Sequence, residues 1–397
     1  MTPAPPPTPP RGDGLSPILR RHILRIAGKF YTARRPVASP RSLLLIRPDH
    51  LGDILFLTPA LHALRTALPE ARITALTGPW GLAALRDNPD LDGIKTCPFP
   101  GFARQPKANL LTPYRLLFER ARALREQAYD TAVVLRFDHW WGAWLAAAAG
   151  ISRRIGYDRP ETRPFLTEAL PYRSQRHEVE QNSTLLATLA GSDAAWEAGP
   201  TRFVIAEADR AWADDWLQSR NLKRDAPLIA IHSGAGAAVK RWPLAAWAGV
   251  ADALAESSGA LILLTGAAEE RSLTRSIAET MSHSVLDAAG ETTLGQLAAL
   301  LERCTLALGS DSGPMHLAVA LGVRTIHLYG PVAPGKFGPW GDPARHAVLT
   351  TSWPCAPCNR LDWTPDVLEQ HRCMADIAPE QVLNLAQRLL PEGRSHT

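Results

Sequence analysis

The 397-residue chain lacks any run of about 18 uncharged apolar residues, the length that a membrane-spanning helix requires. Its first residues are prolines instead of a positive segment, an apolar stretch and a cleavage site, so no signal peptide is expected. It has five cysteines, an odd number that does not suggest a disulfide framework. These absences favour a soluble protein of the reducing cytoplasm.

The chain also lacks a positive charge excess outside its N-terminal arm. Of the net charge of +4, residues 1–40 contribute +6, because seven basic residues stand there against Asp13 alone. The remaining chain therefore carries −2, and its globular part is not expected to bind nucleic acid.

The arm itself contains two kinds of sequence. Residues 1–16 are proline-rich and are predicted to be disordered. Between Pro17 and Arg35, apolar residues recur at helical spacing with basic residues between them. This pattern predicts either a helix packed on the body or a basic amphipathic helix on an anionic membrane surface. The apolar set is Leu19, Ile23, Ile26, Ala27 and Phe30.

From residue 41 onward, short apolar segments alternate with helical patterns, which predicts parallel sheets with crossover helices. The sequence thus predicts an α/β protein with two facing Rossmann-like domains, 41–205 and 206–397, after the arm 1–40. Ligands of such sheets bind at the carboxyl ends of the strands. The strand candidates are Leu43–Ile46, Ile73–Leu76, Thr131–Leu135, Leu228–Ile231, Ala260–Thr265, Leu306–Leu308 and Thr325–Leu328.

The loop Arg47–Asp53 follows the first strand candidate. It lacks the GxGxxG spacing of dinucleotide-binding dehydrogenases. It places Asp53 beside Gly52 at the mouth of the sheet, shortly before a helix that Thr58 is expected to cap and Pro59 to begin. Asp53 could take a proton from an acceptor hydroxyl. The alternative is that it only caps or complements the following helix.

A second loop, His232–Lys240, is rich in small residues such as Ser233 and Gly234. Small residues let backbone N–H groups approach an anion closely, and Lys240 would add a point charge. The pattern differs from the Walker motif because no Ser or Thr follows the lysine. It suits a diphosphate; the alternative is a tight turn with a solvated Lys240.

A third loop follows the strand candidate Leu306–Leu308 and leads into a helix that Pro314 suits as a first-turn residue. Free N–H groups at such a helix start form an anion site that needs no metal. The alternative is that Asp311 and Ser312 serve only as N-caps and that His316 is a core residue. The candidate donor-binding residues here are Asp311, Ser312, Gly313, Pro314, Met315 and His316.

Further polar groups follow other strands. Glu269 or Glu270 could reach ribose hydroxyls, or could be solvated first-turn acids. Cationic and aromatic residues at the strand ends of the first domain suit an acidic, sugar-bearing acceptor, although Trp140 and Trp141 could simply cover the core. The acceptor-binding candidates are Arg47, His50, Arg136, His139, Arg154 and Tyr157.

Cys355, Cys358 and Cys373, with His371, provide a CxxC pair and two further groups that could complete a zinc site. The second pair lacks standard zinc spacing, so thiols without metal are the default interpretation, and no metal ligand is predicted.

At these residues the chain resembles glycosyltransferase family 9, the bacterial heptosyltransferases of lipopolysaccharide core assembly. The likeness spans about residues 42–390, and its most specific part is the third loop. The matching segments are residues 44–60, Arg154–Tyr157, Asp311–Gly322, Tyr329–Pro331 and the cysteine-bearing Pro354–Cys373.

The resemblance implies a GT-B fold with the acceptor on the first domain and the nucleotide sugar on the second. It implies inverting transfer without a metal or cofactor, and ADP-heptose is the family's usual donor. By position, Asp53 matches the catalytic base, Lys240 a lysine that binds the donor phosphates, and Asp311 and His316 donor-site residues. The family often has a Thr-rich segment where this chain has Ser-Gly-Ala-Gly-Ala-Ala, and the long basic arm is atypical.

The expected function is transfer of a sugar, heptose by the family's usual donor, to a lipopolysaccharide core or related lipid-linked glycan. Two alternatives remain: a non-catalytic nucleotide- or glycan-binding member, and a nucleotide-sugar epimerase of the same fold. Joint retention of Asp53, Lys240 and Asp311 favours transfer. The expected location is the cytoplasm, with peripheral contact to the inner membrane through residues 17–35.

Overall fold

The computed structural model describes residues 17–31, 39–102, 109, 111–191, 196–220 and 226–390. The proline-rich segment 1–16 lies outside these ranges, as do parts of the arm and of the connection between the two sheets. The predictions made for those segments are therefore not addressed by the structure.

The first half forms a six-stranded sheet in the order β3-β2-β1-β4-β5-β6, with every pairing parallel. Its strands are β1 (Ser42–Arg47), β2 (Arg72–Thr77), β3 (Gly93–Thr96), β4 (Thr131–Val134), β5 (Arg153–Tyr157) and β6 (Glu168–Leu170). The helices of this half are α1 (Pro17–Gly28), α2 (Leu51–Leu55), α3 (Thr58–Ala67), α4 (Leu82–Leu85), α5 (Thr112–Arg125), α6 (Trp140–Ala148) and α7 (Glu178–Ala187).

The second half repeats this architecture, with a parallel sheet in the order β12-β11-β10-β7-β8-β9. Its strands are β7 (Leu228–His232), β8 (Leu261–Thr265), β9 (Val285–Asp287), β10 (Leu306–Ser310), β11 (Arg324–Tyr329) and β12 (His346–Thr350). Its helices are α8 (Glu207–Gln218), α9 (Leu244–Ser258), α10 (Arg271–Thr280), α11 (Leu294–Glu302), α12 (Gly313–Ala320), α13 (Pro334–Phe337), α14 (Pro365–Leu368) and α15 (Pro379–Leu389).

Both sheets bury both of their faces, which explains the continuous apolar runs of their central strands. In β1, Leu44 and Ile46 join one core cluster, while Leu43 and Leu45 join the cluster on the opposite face. This separation is the two-residue period of an extended strand. The predicted α/β class with two Rossmann-like halves is confirmed.

The strand order places the loops of interest at the switch points of the two sheets. In each sheet, the first and fourth strands of that half lie side by side and their connections leave in opposite directions. A crevice for ligands opens at such a point, beyond the carboxyl ends of the strands. The loops after β1 and β4 flank this crevice in the first sheet, and the loops after β7 and β10 flank it in the second.

Several local predictions need correction. Asp53 does not precede a helix but lies within the one-turn helix α2. Thr58 is the first residue of α3 instead of its N-cap, and its hydroxyl donates to the carbonyl of Leu55 at 2.7 Å. The short edge strands β3, β6, β9 and β12 were not predicted, because they are only partly buried. The interior strand β5 was also not predicted, because its sequence begins with two arginines and has no continuous apolar run.

The predicted arm helix begins at Pro17 as expected but ends at Gly28 instead of near Arg35. It packs on the body through Leu24, which is 1% exposed and was not part of the predicted apolar set. Among the described residues, none of the helices has both the length and the apolar character needed to cross a membrane.

Candidate active site

An arginine at the end of β1 organises the first half of the site. Arg47 is buried, and its guanidinium lies 2.8 Å from Asp49, 3.3 Å from Asp53 and 3.4 Å from Glu178. Burial alone would lower the pKa of this guanidinium, but the three carboxylates raise it. The arginine therefore stays charged while fixing the positions of three acids.

Asp49 is buried between two cations, Arg47 and Arg136. Burial by itself raises the pKa of this carboxyl, yet the two guanidinium groups hold it below its ordinary value. Arg136 also binds Asp138 at 2.6 Å. His139 is buried against Phe99, and burial lowers its pKa to about 3, so its ring is neutral at physiological pH.

Of the three acids that Arg47 binds, Asp53 is the most exposed, with 31% of its side chain accessible to solvent. Burial of the carboxyl, followed by the negative charge of Asp49, raises the pKa of Asp53 to about 7 despite the opposing charge of Arg47. Its carboxylate accepts a hydrogen bond from Arg47, whereas no side-chain cap forms at the start of α2. His50, and not Asp53, occupies the N-cap position of α2. Asp53 is the acidic residue of the first turn, so it can still complement this helix as the alternative interpretation held.

In the second half, the Asp311 carboxylate contacts polar side chains from the second loop, from α12 and from β11. Lys240 Nζ donates to one carboxylate oxygen at 2.9 Å, and His316 Nε2 and Tyr329 Oη lie 3.3 Å from the other. Burial opposes ionisation, but His316 and Lys240 hold the pKa of Asp311 well below its usual value. Lys240 is only 12% exposed, so it is not the solvated side chain of the alternative interpretation.

Around this cluster, buried polar atoms remain without partners among the described residues: Ser233 Oγ, Ser310 Oγ, Ser312 Oγ and His316 Nδ1. Ser312 occupies the N-cap position of α12, yet its hydroxyl caps no backbone N–H. Buried polar groups are nearly always hydrogen-bonded in native proteins. Orphan atoms on both loops indicate a polar ligand that binds between them.

The two halves of the site meet where α2 packs against α12. A Cβ on Gly52 would lie 2.9 Å from His316 Cδ2, and Phe56 forms an edge-to-face contact with the His316 ring at 4.7 Å. A glycine beside Asp53 thus permits close approach of the two domains. The helix that carries the predicted acid and the helix that begins at the predicted anion site therefore pack against each other at the boundary between the two domains, here called the cleft.

Some predicted site residues have structural roles instead. Arg154 is buried and donates to the carbonyls of Phe165 and Ile151 at 2.6 and 2.5 Å. Tyr157 is buried and donates to the carbonyl of Gln181 at 2.7 Å. Both residues use their polar groups inside the first domain, so the structure does not bring them to the cleft as acceptor-binding groups.

The structure changes the interpretation of four other candidates. Glu269 is exposed, whereas Glu270 lies against Gly234 and accepts a hydrogen bond from the Ala267 N–H at 2.8 Å. Pro314 has no N–H to donate, and the Met315 side chain is buried in the core. Any contribution of these two residues to an anion site is therefore limited to the Met315 backbone N–H. His50 is exposed, with its ring 5.3 Å from that of Trp80.

Four cleft residues were not among the sequence candidates: Asp49, Glu178, Asn182 and Lys336. Asn182 accepts from Arg47 at 3.2 Å, and Lys336 Nζ lies 3.7 Å from Glu178 across the domain boundary. Asp49 could have been found, because it stands in the same loop as Asp53. Glu178 and Asn182 lie four residues apart on α7, and only the tertiary structure brings them to the β1 loop.

The three cysteines of the C-terminal segment differ in exposure. Cys355 and Cys358 are exposed, Cys373 is buried, and the described ranges contain no cluster of three or more potential ligands able to hold an ion. His371 stacks instead on Trp363, with ring centroids 3.6 Å apart. The zinc hypothesis gains no support from this arrangement.

Two parallel-sheet domains with a polar cleft between their switch points define the class of GT-B glycosyltransferases. A glycosyltransferase of family 9 from Veillonella parvula superposes with a TM-score of 0.74 and 26% identity, covering 88% of this chain and 97% of that chain. An Escherichia coli heptosyltransferase solved with ADP has the same fold, with a TM-score of 0.64, 21% identity and coverage of 88% and 99%.

The profile of the family described as glycosyltransferase family 9 (heptosyltransferase) matches residues 117–363. Lipopolysaccharide heptosyltransferase 1 of Pseudomonas aeruginosa is 26% identical over 355 residues, which cover 86% of this chain and 92% of that relative. The chain therefore belongs to glycosyltransferase family 9 and is a glycosyltransferase, as the sequence motifs predicted.

Proposed function

We propose that this protein transfers heptose from ADP-heptose to a lipopolysaccharide core acceptor, in a single inverting displacement that needs no metal. The observation that carries the proposal is the packing of α2, which holds Asp53, against α12, whose first turn belongs to the anion site. The name of the Pseudomonas relative and the bound ADP of the Escherichia coli structure support the choice of acceptor and nucleotide.

In the proposed step, the Asp53 carboxylate accepts the proton of an acceptor hydroxyl. The hydroxyl oxygen forms a bond to the anomeric carbon as the bond from that carbon to the phosphate oxygen breaks. Attack opposite the leaving group inverts the anomeric configuration. A pKa of about 7 suits a general base near neutral pH, because such a group is both substantially ionised and basic enough to take the proton.

The leaving nucleoside diphosphate gains negative charge during this step. Lys240 lies beside the start of α12, where the backbone N–H groups of Gly313 and Met315 lack intrahelical partners. A cation together with a helix N-terminus stabilises a diphosphate without a metal ion. Asp311 holds Lys240 and His316 in place and thereby preorganises this charge.

The acceptor would bind on the wall formed by the first domain. Arg136 retains 32% exposure while it is oriented by Asp49 and Asp138, so its guanidinium is positioned to meet an anionic glycan. Lys336 approaches the same wall from the second domain through Glu178. A lipid-linked acceptor would place the reaction at the cytoplasmic face of the inner membrane.

The test is incubation of the full chain with ADP-heptose and a heptose-deficient core acceptor, followed by mass spectrometry and NMR of the product. We expect one added heptose with inverted anomeric configuration, in buffer containing EDTA. Retention of configuration, dependence on a divalent metal, or an isomerised nucleotide sugar released without acceptor would each overturn part of the proposal. A screen with UDP- and GDP-sugars serves as the control for the donor.

A further inference from the structure

The first domain presents an unusual concentration of exposed apolar side chains. Eight large hydrophobic residues are exposed in the part of the chain that the structure describes, and six of them belong to two helical segments of the first domain. Four lie on α1 and the turn after it, and two lie at the start and on the face of α5. The six are Ile18 (68%), Leu19 (49%), Ile26 (59%), Phe30 (81%), Leu111 (64%) and Phe118 (51%).

The orientation of α1 is fixed, so these side chains cannot simply turn inward. Leu24 is buried in the core of the first domain. A Cβ on Gly28 would lie 2.5 Å from Pro164 Cβ, which shows how closely the helix approaches the body. Arg21 binds Glu161 at 2.6 Å, and Trp144 donates to the Tyr31 hydroxyl at 3.1 Å.

The outward face of α1 combines its apolar residues with cations. At about 100° per residue, Leu19, Ile26 and Phe30 project within about 40° of one another if the helical rotation continues through Phe30. Arg25 and Lys29 are exposed on the adjoining side, and α1 contains no acidic residue. Neither cation forms an ion pair with any of the described residues.

Trp144 connects α1 with α5. Its ring stacks on Phe165 at 5.2 Å and makes an edge contact with Phe118 at 6.1 Å, while its indole N–H donates to Tyr31. The exposed Phe118 is therefore linked to Tyr31, three residues beyond the end of α1, by one ring contact and one hydrogen bond through Trp144. On α5, the exposed Arg115, Arg122 and Arg125 outnumber the exposed Glu119 and Glu126.

An open, basic depression lies next to this face. A cavity of about 640 Å³ between α1 and the loop after β5 is lined by Arg25, Lys29 and Arg163, with Asp158 as its acidic group. Asp158 lies 4.0 Å from Arg163, which leaves a net positive lining. Phosphate-bearing groups are the chemistry that such a lining favours.

We propose that the outward faces of α1 and α5 form a surface that binds an anionic lipid bilayer. The apolar side chains would enter the acyl boundary while Arg25, Lys29 and the arginines of α5 contact anionic headgroups. A second copy of the chain fits this surface less well. In a twofold-symmetric contact, the basic residues of the surface would lie against the basic residues of the other copy. The proposal does not depend on the identity of the donor sugar or the acceptor.

Vesicle flotation of the full chain tests this surface, with vesicles of phosphatidylcholine alone or mixed with phosphatidylglycerol. We expect flotation only with the anionic vesicles, weakening as salt is raised. The variant Leu19→Ser/Ile26→Ser/Phe30→Ser should stay at the bottom of the gradient. The variant Arg25→Gln/Lys29→Gln should bind about 10- to 30-fold more weakly.

The matched control replaces the two exposed hydrophobic residues that lie elsewhere, Val204→Ser/Leu361→Ser, and should float like the unmodified chain. Phe118→Ser should weaken binding and thereby show that α5 belongs to the surface. Flotation of the triple serine variant equal to that of the unmodified chain, equal binding to neutral vesicles, or no binding at all would overturn the proposal. Glycosyl transfer to a delipidated acceptor should be unchanged in every variant, which separates this test from that of the transferase.

Discussion

The raised pKa of the Asp53 carboxyl gives the most specific prediction. Its pKa of about 7 results from burial and the charge of Asp49. If the ionised carboxylate is the base, kcat/KM should rise with pH and level off above pH 7. One pH unit below that pKa, about a tenth of the enzyme carries the ionised form, so kcat/KM should fall about tenfold at pH 6.

Replacement of Asp53 by Asn removes the base but keeps the shape of the side chain. General base catalysis contributes about 100- to 10,000-fold, and kcat should fall within that range while ADP still binds. The pKa of the Asp53 carboxyl is higher in the folded than in the unfolded state. Ionisation of this carboxyl therefore lowers the free energy of unfolding as the pH rises from about 4 to 7. Asp53→Asn should therefore stabilise the fold above pH 7, by about 1–2 kcal/mol because the side chain is partly exposed.

The assay is the rate of ADP release at saturating donor and varied acceptor between pH 5.5 and 8.5, which gives both kcat and kcat/KM, together with thermal melts at pH 5 and pH 8. Asp87, which is exposed in the same domain, provides the control Asp87→Asn, and this variant should keep full activity. Two results would refute the assignment of Asp53 as the base. One is a turnover of Asp53→Asn above a tenth of the unmodified rate, and the other is a rate in this variant that still rises with pH near pH 7.

Three further predictions concern the donor site and the cleft. Lys240→Ala should lower kcat/KM for the donor about 100-fold, because it removes a preorganised cation from the leaving phosphate; unchanged steady-state kinetics would contradict this role. Gly52→Ala should slow transfer without a comparable loss of melting temperature, because the added Cβ would contact His316 across the cleft. Gly249→Ala is the control: its Cβ would have no atom within 4 Å, so this variant should be neutral or stabilising. ADP should raise the melting temperature more than UDP or GDP, and an equal response to all three would remove the proposed base preference.

The sequence predicted the fold well because the central strands carry an unambiguous signal. Leu43–Ile46 and Leu306–Leu308 are buried on both faces, so they appear as short, uninterrupted apolar runs. The loops that follow such strands are candidate sites by topology, and this is why Asp53, Lys240 and Asp311 could be selected. The edge strands β3, β6, β9 and β12 gave no such signal because their burial is partial.

Side-chain direction was much harder to predict. Arg154 and Tyr157 stand at a strand of the first sheet like genuine site residues, but their polar groups point to backbone carbonyls inside the domain. Conversely, Glu178 and Lys336 follow no recognisable motif, yet they meet across the cleft. Composition and spacing do not specify which neighbour satisfies a polar group.

The sequence by itself determined that two parallel-sheet domains form, and that their strand-to-helix loops carry a carboxylate and a basic, small-residue segment that is a candidate anion site. These properties follow from local burial patterns and from residues close together in the chain. Only the tertiary structure decided that Gly52, the neighbour of Asp53, lies against His316 of the second domain and that Asp53 has a pKa of about 7. It likewise decided that Leu24 is buried while Ile26 and Phe30 remain exposed. Burial and electrostatic environment depend on groups distant in sequence, which the folded chain alone brings together.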